Sequence, residues 1–172
     1  EAYAGKSVAD VKSANAPGSV DAATKDGTLY AFPMSADNGY FLYYNSELVT
    51  PEDAQTWDTL LAAAEKAGKK VGMTLASGWY NASFCYGAGF TTALNDDGST
   101  AMDWNGTSAD GVTGVQVVQS MLGIAGNSAF LPIADGDVSN QIASGELCAV
   151  VSGTWDAAAA QTAFGEGYAA TK

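Results

Sequence analysis

The chain has 172 residues, which suits one domain or one with part of a second, and its 47% apolar and 15% charged composition excludes a disordered polypeptide. No apolar run is long enough to cross a bilayer as a helix, and a formal net charge of -12 excludes nucleic acid and anionic lipid as natural partners. Histidine is absent, which removes the usual general base at neutral pH and every Ser-His-Asp or Cys-His nucleophile.

Residues 1–26 are small, polar and weakly patterned, and read as an irregular N-terminal segment with one helical turn near Val8 to Lys12. A second region, 27–172, carries the regular structure. Asp26-Gly27 makes a turn into a strand over 28–32, ended by Pro33, and Tyr40 to Tyr44 is an uncharged aromatic run that reads as a buried strand. Thr56 caps a helix over 57–67, where Trp57, Leu60, Leu61 and Ala64 recur at helical spacing, and Gly68 closes it. A strand over 71–75 follows, then a small polar turn holding Trp79 and Tyr80, then a helix over 81–90. Residues 95–105 form a hairpin-like excursion, and 110–125 a helix whose apolar face is Val115, Val118, Met121, Leu122 and Ala125. A short helix over 138–144, a strand over 147–152, a helix over 155–163 capped by Thr154, and a strand cut short at 167–172 complete the chain.

Helices placed between apolar strands predict an α/β fold, a three-layer sandwich around a mainly parallel sheet. Ligand sites in such sheets lie beyond the carboxyl ends of the strands. Two turns occupy that position and resemble each other: Ser77 to Tyr80 after one strand, and Ser152 to Trp155 after another. A flat ring at such a turn offers a large apolar face at little entropic cost, so Trp79, Tyr80 and Trp155 are the candidate ligand contacts.

Other chemistries fit less well. From Asp135, oxygens fall at the first, third and fifth places (Asp135, Asp137, Ser139) and Glu146 at the twelfth, as in an EF-hand loop, but the sixth place needs Gly and holds Asn140. Helix capping by Asp137 or Ser139 accounts for the same residues, and neither a metal nor another cofactor is expected. Asp37, Asp96, Asp97, Asp103 and Asp156 are available for a glycosidase-type pair, although Asp96 and Asp97 sit in an obvious turn. Cys85 and Cys148 are too far apart in sequence for a redox CxxC motif, which leaves either a disulfide or two buried free thiols.

The run from Gly27 to Val49 (GTLYAFPMSADNGYFLYYNSELV), the helix opening TWDTL, the strand with its aromatic turn, the Gly145-Glu146 step and VVSGTWDA at 150–157 together resemble the extracellular solute-binding proteins of ABC importers. The resemblance is to the carbohydrate-binding, maltose-binding-protein-like type and covers about Val20 to Lys172. It implies two α/β lobes that close on a ligand like a hinged trap, with this chain as the second lobe of a longer protein. It implies that Trp79 and Tyr80 match an aromatic loop that stacks on sugar, that Trp155 matches a sugar platform, and that Asp37 and Asn38 lie near a hinge-side position from which an acid reaches ligand hydroxyls. Ser77 and Gly78 stand where maltodextrin-binding members carry an acid and a proline, so a linear α-glucan is not specified. The implied partners are a mono- or oligosaccharide, a membrane permease and the missing first lobe, in an extracellular or periplasmic, lipid-anchored parent. A secreted carbohydrate-active enzyme domain and an adhesion module are the rival readings.

Overall fold

The computed structural model describes residues 5–35 and 38–172, and its internal contacts define two compact units, Glu1–Gly39 and Tyr40–Lys172. In the first, α1 (Val8–Ala14) starts at Ser7, whose hydroxyl accepts from Asp10 N while the Asp10 carboxylate accepts from Ser7 N. This reciprocal box satisfies two of the amides that a helix start leaves bare. Then come α2 (Pro17–Ala22) and a hairpin of β1 (Thr24–Lys25) and β2 (Thr28–Leu29). Asp26 and Gly27 both take positive φ, 51° and 76°, as the turn joining two such strands requires. The stretch expected to hold one helical turn therefore holds two helices, and the strand expected over 28–32 pairs only through its first two residues.

The second unit is built on one five-stranded sheet in the order β7-β4-β8-β3-β9. Its strands are β3 (Tyr40–Asn45), β4 (Lys70–Met73), β7 (Phe130–Pro132), β8 (Leu147–Gly153) and β9 (Tyr168–Thr171). β4 pairs parallel with β7 and β8, whereas β3 lies antiparallel to both β8 and β9. Four strands thus share one direction and β3 alone is reversed. β5 (Thr92–Leu94) and β6 (Thr100–Met102) form the expected hairpin excursion, separate from this sheet.

Helices cover both faces. Leu60, Leu61 and Ala64 of α3 (Trp57–Lys66), Tyr80 of α4 (Gly78–Gly87) and Ile124 of α5 (Gly114–Ala125) pack on one face with Tyr44, Val71, Met73 and Cys148. Ile142 of α6 (Val138–Ala143) and Ala160 and Phe164 of α7 (Ala157–Phe164) pack on the other with Tyr43, Leu147 and Val150. Tyr43 and Tyr44 point to opposite layers because strand side chains alternate, which explains why β3 shows no polar face. This is the three-layer α/β sandwich that the element order predicts.

Two elements differ from expectation. β7 was not anticipated; Phe130-Leu131-Pro132 is short and carries a proline, which an edge strand tolerates. α5 begins at Gly114, behind a Thr113 and Gln116 capping box, and buries Val117 and Ile124, while Val115, Val118 and Leu122 are exposed. That helix is apolar around most of its circumference, so periodicity could not select the face that meets β7 and α4. Cys85 and Cys148 are both free thiols, on α4 and near the start of β8. Cys148 Sγ lies 3.5 Å from the Lys70 carbonyl, and burial pushes its thiol up to about 11.

Candidate functional site

Because β4 and β8 are parallel neighbours, the chain leaves both at the same edge of the sheet. After β4, residues 74–77 turn back: Ser77 N donates to Thr74 O at 3.3 Å and Asn81 Nδ2 donates to Leu75 O at 2.7 Å. Ser77 is the N-cap of α4, and its hydroxyl makes no capping bond. Trp79 and Tyr80 accordingly sit in the first turn of α4, not in a loop ahead of a helix starting at Asn81. After β8, Trp155 sits in a 3-10 turn (Thr154–Asp156), and α7 proper begins only at Ala157.

The aromatics differ in role. Trp79 and Trp155 are 49% and 55% exposed, whereas Tyr80 is 5% exposed and belongs to the core. Reversal of β3 brings its first residue to the same edge, with Tyr40 opposite Gly153 in register. The Tyr40 ring lies 5.8 Å from Trp79, edge-on at 84°, and 5.5 Å from Tyr80. Trp155 folds back over Gly153, where a Cβ would overlap the indole. Tyr40, Gly153, Trp79, Tyr80 and Trp155 therefore form one aromatic wall at the carboxyl ends of β4 and β8.

Beneath the wall lies a polar anchor. Asp156, buried beside Trp155, accepts from Ser139 Oγ of α6 and Ser152 Oγ of β8, both at 2.5 Å. Burial pushes the Tyr80 phenol above its ordinary value against the lowering effect of Ser152, and the charges of Asp156 and Asp135 add to the upward push. Two buried oxygens in or next to the β4–α4 turn, Thr74 Oγ1 and Asn81 Oδ1, have no protein partner.

Of the residues singled out from sequence, Trp79, Tyr80 and Trp155 come together, with Ser77 at the head of the same helix. Asp37 lies outside the described residues, and Asn38 is an exposed residue of the first unit. Tyr40 was missed as a contact because a parallel sheet would have put the start of its strand at the opposite edge. Two of the oxygen-bearing residues of the calcium-like pattern are otherwise engaged. Asp137 takes the side-chain amides of Gln141 and Asn140, which hold its carboxyl below the ordinary value, and Ser139 turns to Asp156. Among the described residues no group of three or more Asp, Glu, Cys or His is placed to hold a metal ion. Of the acids considered for a glycosidase pair, Asp103 accepts from Thr91 N and Oγ1 and Asp97 from Ser99, both away from the aromatic wall.

A family model described as bacterial extracellular solute-binding protein matches residues 3–171. Among solved structures, the chain is similar to a maltodextrin binding protein, MalE1 from L. casei BL23 without ligand, at 25% identity and a TM-score of 0.64, covering 96% of this chain and 42% of that one. It also shares the fold of the maltose-maltodextrin binding protein of the thermoacidophilic bacterium Alicyclobacillus acidocaldarius, at 23% identity and a TM-score of 0.64, covering 91% of this chain and 41% of that one. The chain thus spans about two fifths of the length of either structure. No curated protein matches.

Proposed function

This chain belongs to the bacterial extracellular solute-binding proteins, and from that premise we propose that it supplies one wall of an interlobe cleft binding a mono- or oligosaccharide for uptake by an ABC importer. The observation that carries the reading is the pair of half-exposed indoles, Trp79 and Trp155, at the carboxyl ends of adjacent parallel strands. Such rings stack on the apolar face of a pyranose, while the Ser77 hydroxyl, which makes no capping bond, offers a polar partner nearby. A chain of net charge -12, with Asp135 and Asp156 beside the wall, suits a neutral solute. In this reading a first lobe supplies the opposing wall, the parent is extracellular or periplasmic and lipid-anchored, and closure follows from tighter binding to the closed form.

The test is calorimetry with a panel of neutral oligosaccharides on the two-lobed parent and its Trp79→Ala and Trp155→Ala variants. Truncating a central aromatic contact costs about 2 kcal/mol or more, roughly a 30-fold loss of affinity. Unchanged affinity in both variants would sink the assignment.

A further inference from the structure

The two exposed indoles of the wall are held by different means. Trp79 leans on a ring, with Tyr40 edge-on at 5.8 Å. Trp155 has no ring partner among the described residues, and its indole folds back over Gly153. Its direction is therefore set by the backbone of its own turn, Thr154–Asp156, and that turn is fixed at its far end by Asp156.

An Asp at a helix N-cap ordinarily turns its carboxylate onto the first amides of that helix. Asp156 stands at the N-cap of α7, with φ -99° and ψ 2°, and makes no such bond. It is buried, and its oxygens reach to other elements: Oδ2 accepts from Ser152 Oγ on β8 and Oδ1 from Ser139 Oγ on α6, both at 2.5 Å. That spacing is typical of hydrogen bonds to a charged oxygen. The Ser152 bond closes the loop 152–156, within which Trp155 turns back onto Gly153. The Ser139 bond ties the same loop to α6, which packs beside α7 in one helical layer.

We propose that Asp156 is a positioning residue for the ligand wall: by closing the loop 152–156 and tying it to α6, it holds the Trp155 indole over Gly153 in the orientation a solute meets. The placement of the ring stands on the geometry; its consequence for affinity rests on the sugar-binding reading.

Labelling the chain with 5-fluorotryptophan gives one 19F resonance for each of its four tryptophans, with Trp155 assigned by the signal lost in Trp155→Phe. Asp156→Ala opens the loop, so the Trp155 signal moves toward its position in the unfolded chain while those of Trp57 and Trp104 stay. Asp156→Asn can still satisfy both serines, one through its oxygen and the other, turned to accept, through its amide. Its Trp155 signal should lie nearer the parent's than that of Asp156→Ala. Ser152→Ala removes the loop-closing bond alone and should move the Trp155 signal even if Asp156→Ala does not fold. Ile124→Ala, in the other helical layer, is the control for general loosening: the melting temperature falls and the Trp155 signal stays. A Trp155 signal unmoved in either loop variant that folds, or moved as far in Ile124→Ala, overturns the proposal.

A second arm is calorimetry on the two-lobed parent with maltotriose, cellotriose and xylotriose. Asp156→Ala should lose affinity for whichever of these binds, by up to the roughly 30-fold expected of Trp155→Ala. Unchanged affinity with a displaced ring overturns the role in binding. If none of the three binds the parent while the Trp155 signal moves as described, the sugar reading fails and the positioning of the indole by Asp156 stands.

Discussion

Gly153→Ala isolates the placement of the Trp155 indole. Gly153 has φ -85° and ψ 174°, an extended backbone open to any residue, so the substitution brings no backbone strain. Its whole effect comes from the new Cβ, which falls on the Trp155 ring and forces it off the strand. The ring is 55% exposed, so less than half of its surface can be lost to solvent. Taking a Trp side chain as roughly 250 Å², the part at risk is about 110 Å², worth at most about 2.8 kcal/mol at roughly 25 cal/mol per Å². For a chain of this size each kcal/mol lowers the melting temperature by about 2–4 °C, which sets a ceiling of about 10 °C. The Tyr43 hydroxyl, which donates to the Gly153 carbonyl at 3.1 Å, keeps its acceptor, so the strand itself should hold. Circular dichroism melts should show a cooperative transition a few degrees lower, and the emission of Trp155, obtained by difference against Trp155→Phe, should shift to the red. An unshifted emission and an unchanged melting point would show that the indole does not rest on Gly153.

Two further outcomes follow from the same packing. In denaturant, a thiol assay should find two reactive cysteines; in the native chain at pH 8, Cys148 should resist alkylation, because it is fully buried and its thiol is pushed up to about 11, and finding no free thiol after unfolding would restore the disulfide alternative. On α5, Val118→Ser or Leu122→Gln should change stability by no more than about 0.5 kcal/mol, while Ile124→Ala should cost about 2–5 kcal/mol in denaturant melts. The reverse order would mean that the face expected from periodicity is the buried one.

The legible parts of the fold were those where local chemistry and burial agree. Thr56 caps α3, and Leu60, Leu61 and Ala64 pack inward as their spacing requires. The Asp26-Gly27 turn makes a hairpin, and Leu147 to Gly153 is apolar because it lies between two helical layers. What could not be read depended on neighbours distant in sequence. Only pairing with Val71 to Met73 makes a strand of residues 130–132, and only contact with β7 and α4 chooses the inward side of α5. The Ser7 and Thr113 capping boxes were present in the sequence, as Ser-Val-Ala-Asp and Thr-Gly-Val-Gln, and would have placed both helix starts.

The candidate site divides along the same line. Trp79 and Trp155 were legible because each follows a strand at a polar turn, but the difference between a platform and its support was not. Tyr80 stands next to Trp79 in sequence, yet one step along a helix turns a side chain by about 100°, which carries one ring outward and the other into the core. The reversal of β3 then adds Tyr40, the residue that touches both rings. In a wall assembled this way the outward indoles pack against a glycine and a tyrosine, Trp155 over Gly153 and Trp79 against Tyr40. Rigid rings lose little entropy on contact, yet stacking of the order of 1 kcal/mol per ring falls short of the several kcal/mol that association costs. A solute held by this wall alone would therefore bind weakly.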